Sequence, residues 1–100
     1  MNANSVTPET CAVFRQNPDV VCADVAGETI LLHGGSGASL EIDEIGRSIW
    51  DLLAVPQSLA SLAKALMRAF DVDEAVCIAN TEPFLQYLAG HGFLVRTDED

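Results

Sequence analysis

The sequence predicts an α+β domain in which a three-stranded antiparallel sheet is followed by three helices. Before residue 43, short β-branched or alternating apolar stretches are typical of strands. After residue 43, apolar residues recur every three or four positions, which is the period of an amphipathic helix. One hundred residues, 49% of them apolar, are enough for one domain with a single modest core.

Residues 20–25 and 28–33 form the predicted first hairpin, with Ala26-Gly27 as its turn. A glycine-rich run at 34–37 then leads to a third strand over 38–42. This run lacks a following Lys-Ser/Thr and enters a strand, so we interpret it as a connection and not as a phosphate-binding loop.

The strand pattern changes to a helix pattern at Asp43, whose side chain can cap a first helix extending to Leu53. Gly46, in its second turn, predicts the close approach of another backbone. Trp50 lies beside the apolar stripe, where a half-buried core position is favoured over a ligand contact. That stripe comprises Ile45, Ile49, Leu52 and Leu53.

Ser58 can cap a second helix that runs to Phe70, and Asp71 or Asp73 can cap a third. Pro83 interrupts the third helical pattern, so this segment either kinks or divides into two helices with Thr81 capping the second. The last two helices have helix-turn-helix proportions with the small sheet as a wing, which predicts a winged-helix-like fold.

The net charge of −10 disfavours nucleic acids and anionic membranes, because both attract basic proteins. The sequence has no signal peptide and no apolar run long enough for a bilayer, and its three widely spaced cysteines indicate reduced thiols in the cytoplasm. His33, His91 and Cys77 belong to no catalytic set, and no ligand grouping suggests a metal or cofactor. The sequence therefore predicts a binding domain and not an enzyme, with peptides or proteins as partners.

The third strand of the predicted meander lies at the edge of the sheet. Its unpaired amides and carbonyls suit the addition of a strand from a partner peptide. The alternative interpretation is that the N-terminal segment covers this edge.

The spaced apolar positions, the strand–Asp–helix junction and the Gly-aromatic-Leu end resemble the PqqD-like family of recognition elements for ribosomally made, modified peptides. The likeness spans about residues 18–95, leaving 1–17 as a flexible lead-in and 96–100 as an acidic tail. The residues that carry it are Ile30 to Leu32, Leu40 to Gly46, Ile49, Trp50, Leu52, Leu53, Leu59 to Val72, Phe84, Leu85, Leu88 and Gly92 to Leu94.

This resemblance implies a winged-helix-like domain that binds the leader of a precursor peptide as an added strand. The leader would lie between the third strand and the third helix, and a partner enzyme would modify the precursor or cleave its leader. The implied contacts are Ala38, Ser39, Leu40, Glu41 and Ile42 on the strand, and Val76, Cys77, Asn80, Thr81, Phe84 and Tyr87 on the helix. Pro83 departs from the family pattern beside Phe84 and Tyr87.

Ile49-Trp50 and the early cysteine of the third helix are more similar to the lasso-peptide members than to those of the pyrroloquinoline quinone pathway. Two alternatives stay open at this point. One is a winged-helix DNA binder, although no Lys or Arg lies between Asp73 and Gly90. The other is a small dimerisation or adaptor domain in which the edge strand pairs with its own copy.

Overall fold

The computed structural model describes residues 12–97, which form six strands and three helices in two small sheets and one helical layer. The strands are β1 (Val13–Gln16), β2 (Val20–Val25), β3 (Glu28–His33), β4 (Ser39–Ile42), β5 (Gln57–Ser58) and β6 (Leu94–Arg96). The helices are α1 (Glu44–Leu52), α2 (Leu59–Ala69) and α3 (Glu74–Gly90).

Strands β2, β3 and β4 form the predicted antiparallel meander, in that order. Leu31 pairs with Cys22 on one side and with Leu40 on the other. Leu31 is fully buried, whereas its neighbour Leu32 is 46% exposed, so one face of the sheet covers the core and the other faces solvent. The α+β prediction, with this sheet followed by three helices, is confirmed.

A second sheet, with the order β5–β1–β6, was not predicted. Its central strand β1 lies within the stretch predicted as a lead-in, and Phe14 pairs with both Gln57 and Arg96. Strand β6 extends to Arg96, the first residue of the predicted tail. Residues 1–11 and 98–100, which hold the rest of the lead-in and of the tail, lie outside the described residues.

Each helix begins at a polar cap that the sequence predicts. The Asp43 carboxylate accepts the Gly46 N–H at 2.8 Å, and the Ser58 hydroxyl accepts the Ser61 N–H at 3.1 Å. Asp73 accepts the Ala75 N–H at 3.2 Å. These side chains satisfy amides that have no partner inside their own helix.

Helix α3 is one uninterrupted helix of 17 residues with Pro83 inside it, so it does not divide. Thr81 lies within the helix and is 3% exposed, so it does not cap a second one. Because proline has no N–H, Pro83 cannot donate to the carbonyl of Ala79. Ala79 is exposed, so water can satisfy this carbonyl.

Aliphatic side chains from the helices and the inner face of the meander form the core, together with Trp50 and Phe93. Trp50 is only 3% exposed, so it is more deeply buried than the half-buried core position predicted. Ile45 was predicted on the same buried face but is 51% exposed. No helix within residues 12–97 is both long and apolar enough to cross a membrane.

Gly46 permits close packing at the start of α1. A β-carbon at this position would lie 3.1 Å from Cβ of Ile42 and 3.3 Å from Cζ of Phe84. The group that approaches Gly46 from α3 is therefore an aromatic side chain, and the prediction of a neighbouring backbone was wrong.

The hairpin turn of β2 and β3 offers a test of local strain. Ala26 has φ 53° and Gly27 φ 82°, and Ala26 is the one non-glycine residue in 12–97 with a positive φ. Asn tolerates this region better than Ala, so Ala26→Asn should stabilise the domain by about 0.5–1 kcal/mol. Thermal unfolding of this variant would check the prediction, with Ala54→Asn as a control at an exposed position without positive φ. An equal change in unfolding temperature for both variants would show that the effect does not come from the positive φ of Ala26.

The contact of Gly46 with Phe84 predicts that a side chain at this position is destabilising. Gly46→Val should lower the free energy of unfolding by about 1–3 kcal/mol, because the added methyl groups overlap Ile42 and Phe84. Gly90→Val is the matched control, since a β-carbon there meets no atom within 4 Å. Urea unfolding of both variants should show a loss at Gly46 alone; an equal loss at Gly90 would indicate a generic effect of valine.

Candidate functional site

A cleft with a volume of about 580 Å³ lies between β4, α1 and α3. Strand β4 supplies one wall, α3 supplies the other, and the start of α1 closes the floor. The lining residues are Glu41, Ile42, Asp43, Ile45, Gly46, Ile49, Asn80 and Phe84.

The outer edge of β4 borders this cleft. Strand β4 pairs with β3 on one side, and no strand of residues 12–97 pairs with its other side. The His33 N–H donates to the carbonyl of Ala38 at 2.8 Å. The backbone groups of Ala38 therefore point toward β3, and those of consecutive strand residues point to opposite edges. The amides of Ser39 and Glu41 consequently lie at the open edge. Those of Leu40 and Ile42 point toward β3.

Asn80 and Phe84 form the opposite wall, one helical turn apart on α3. A smaller cleft of about 90 Å³ continues from the first and shares Ile45 and Asn80 with it. Its other lining residues are Leu66, Phe70, Val72, Val76, Cys77 and Thr81. The two clefts together form a mostly apolar groove along α3, and we call this the β4–α3 groove.

The structure brings together most of the residues that the sequence analysis assigned to peptide binding. Glu41, Ile42, Asn80 and Phe84 line the larger cleft, and Val76 lines the smaller one. The other strand residues, Ser39 and Leu40, belong to β4, and Ala38 immediately precedes it.

Three of the assigned helix residues are placed differently. Cys77 and Thr81 are only 5% and 3% exposed, so they form the floor of the smaller cleft and part of the core. Tyr87 lines neither cleft and instead stacks on His91, with 4.0 Å between the ring centroids.

The sequence analysis missed Asp43, Ile45, Gly46 and Ile49 as lining residues. Of these four, Ile45 is the most exposed apolar side chain, at 51%, and it lines both clefts. Its helical spacing with Ile49 predicted burial on the core side. Helical spacing alone carries no signal that separates a residue facing the core from one facing a groove.

The groove has an acidic rim and no basic side chain among its lining residues. Glu41 and Asp43 line the larger cleft, and neither cleft is lined by Lys or Arg. Arg47 lies on the neighbouring surface of α1, where it pairs with Asp24 at 2.9 Å and Asp51 at 3.2 Å. The hydrogen bond to Asp51 raises the pKa of the Arg47 guanidinium.

Three further features concern phosphate binding, thiol reactivity and metal binding. In the glycine-rich loop, the N–H groups of Gly35 and Ser36 donate to Nδ1 of His33, each at 3.1 Å, so this side chain already occupies two of the loop amides. Burial raises the pKa of the Cys22 thiol above its ordinary value, which disfavours a reactive thiolate. Within residues 12–97, no three His, Cys, Asp or Glu side chains are grouped to hold a metal ion.

Three solved structures share this architecture. TbiB1 in complex with the TbiA(beta) leader peptide has a TM-score of 0.70 and 28% identity, covering 80% of this chain and 93% of its own. Lasso peptide synthetase B1 complexed with the leader peptide has a TM-score of 0.69 and 22% identity, over 82% and 96% of the two chains.

The third is the PqqD truncation of Methylobacterium extorquens PqqCD, a stand-alone recognition element for ribosomally synthesised and post-translationally modified peptides. Its TM-score is 0.68 with 22% identity, over 84% of this chain and 89% of that one. The last two likenesses establish the fold.

No curated protein sequence matches the chain. The family described as coenzyme PQQ synthesis protein D (PqqD) matches residues 28–94. This match extends from β3 through β4 and all three helices into β6, and so includes both walls of the groove. Because it spans well over half of the sequence, the chain belongs to the PqqD family.

Proposed function

We propose that this domain binds the leader segment of a ribosomally synthesised precursor peptide as an added strand on β4. The observation that carries the proposal is the open edge of β4, which faces α3 across a cleft of about 580 Å³. A leader in this position would pair with the outward backbone groups of Ser39 and Glu41 and direct alternate side chains into the groove.

The apolar surface of the groove supports the same function. Ile45 and Val76 are each 51% exposed and Val72 is 39% exposed, although all three are apolar. Covering them with apolar leader side chains would remove this surface from water, worth about 25 cal/mol for each Å². Asn80 can add hydrogen bonds from the opposite wall.

The chemistry of the pathway belongs, in this proposal, to a separate enzyme that modifies the precursor or cleaves its leader in the cytoplasm. The domain needs no cofactor or metal for this role. TbiB1 and lasso peptide synthetase B1 were both solved with a leader peptide, which supports a lasso-peptide or similar pathway over pyrroloquinoline quinone synthesis.

Strand addition predicts that an amide at the open edge is essential. Ser39→Pro removes the outward N–H of Ser39 and should weaken leader binding at least tenfold. Ser39→Ala keeps the N–H and should stay within twofold of the native affinity. Fluorescence anisotropy with the synthetic leader of the precursor peptide encoded nearest to this chain measures both; a folded Ser39→Pro domain with native affinity would refute pairing at this residue.

The placement of the two aromatic residues of α3 gives a second prediction. Phe84→Ala should weaken leader binding about tenfold or more, because Phe84 lines the larger cleft. Tyr87→Ala should change it less than twofold, because Tyr87 stacks on His91 outside both clefts. Isothermal titration with the leader measures the affinity of both variants and of Phe84→Leu, a milder change. Equal losses of affinity for Phe84→Ala and Tyr87→Ala would show that the binding site extends along α3 to Tyr87.

Two further measurements separate the alternative functions. Titration with duplex DNA should show no binding, since α3 has no Lys or Arg between Asp73 and Gly90. Sedimentation velocity should show a monomer that binds one leader. A dimer abolished by Ser39→Pro would instead assign the open edge to self-association.

A further inference from the structure

Glu41 is the residue of β4 whose position specifies the ligand most closely. It pairs with Ile30 of β3, which in turn pairs with Ala23 of β2. These three side chains share the outer face of the sheet, because residues that pair across strands lie on the same side. Ile42 and Leu40 point to the opposite face, where Ile42 is 7% exposed.

This alternation continues into any strand added at the open edge. The added residue directly opposite Glu41 must present its side chain on the outer face, about 5 Å from that of Glu41. The residues before and after it must point inward, toward Ile42, Ile45 and Phe84 of the larger cleft. The geometry of β4 thus assigns different chemistry to three consecutive residues of the ligand.

No basic side chain of residues 12–97 forms an ion pair with Glu41. Its partner across β3 is the apolar Ile30, and Arg47 is already paired with Asp24 and Asp51. A basic ligand residue opposite Glu41 would therefore meet an exposed carboxylate without displacing an existing partner. An acidic one would face both Glu41 and the net charge of −10.

We propose, building on the function proposed above, that the strand bound by this domain carries Lys or Arg opposite Glu41 with an apolar residue on each side. Glu41 selects the basic residue, and the larger cleft receives the apolar pair. The substrate class is thus an apolar–basic–apolar strand, and an acidic residue at its centre is rejected by like charge.

A charge exchange tests this proposal with the full chain and the same synthetic leader. The leader segment that pairs with β4 should contain Lys or Arg between two apolar residues. Glu41→Lys should weaken binding about five- to tenfold, and replacing the basic leader residue by Glu should weaken binding to the native domain similarly. Combining both changes should restore the affinity to within about threefold of the native pair.

Asp19→Lys is the matched control, because it changes the net charge equally and lies at an exposed position just before β2, on the other side of the sheet from the open edge of β4. It should weaken binding less than twofold at 0.15 M salt, where exposed charges beyond about 8 Å are screened. Sedimentation of each variant verifies that it stays monomeric.

Equal losses for Glu41→Lys and Asp19→Lys, or no recovery in the exchanged pair, would overturn the proposal. A leader segment without the apolar–basic–apolar pattern would also overturn it. If Ser39→Pro still weakens binding at least tenfold in these cases, strand addition stands and only the selection by Glu41 is wrong. If the leader does not bind to the native domain, the proposed function and this inference fail together.

Discussion

The cap at Asp43 is the interaction on which the groove depends. The Asp43 carboxylate accepts the Gly46 N–H, and the Asp43 carbonyl accepts the Arg47 N–H at 2.8 Å. Because of these bonds, α1 begins only one residue after β4 ends. The chain therefore turns away from the open edge of β4 and does not continue along it. The edge of β4 stays open, and α1 becomes the floor between β4 and α3.

Gly46 fixes the depth of that floor. Because Gly46 has no side chain, the ring of Phe84 can pack closely against α1. Pro83, beside Phe84, leaves α3 uninterrupted, and the carbonyl that lacks its N–H belongs to Ala79, an exposed residue. The groove wall therefore contains a proline within one continuous helix.

Local patterns in the sequence were sufficient for the meander, the three helices and their caps, because each depends on residues a few positions apart. The second sheet could not be predicted in this way. Its strands β1 and β6 are three or four residues long, and their pairing joins Phe14 to Arg96 across most of the chain. Such short segments have no detectable period, and only the folded helices bring them together.

The site was predictable to the same extent. The resemblance grouped Glu41, Ile42, Asn80 and Phe84, and all four line the larger cleft, but residue spacing alone cannot set the length of the groove. Strand β4 has four residues and spans about 13 Å, whereas α3 has 17 and spans about 25 Å. The helix therefore extends beyond the strand, and Tyr87, on the same helical face, is left outside the clefts. Ile45 was missed because amphipathic spacing does not distinguish a residue facing the core from one facing a groove.

The charge on the open edge also bears on the solubility of the unoccupied domain. An unpaired strand is a site at which identical chains can join edge to edge and aggregate. Antiparallel pairing of β4 with its own copy would bring two Glu41 side chains near each other and join two chains of net charge −10. The carboxylate in the middle of a four-residue strand thus opposes aggregation of like copies, while the main-chain groups beside it remain available to a different chain.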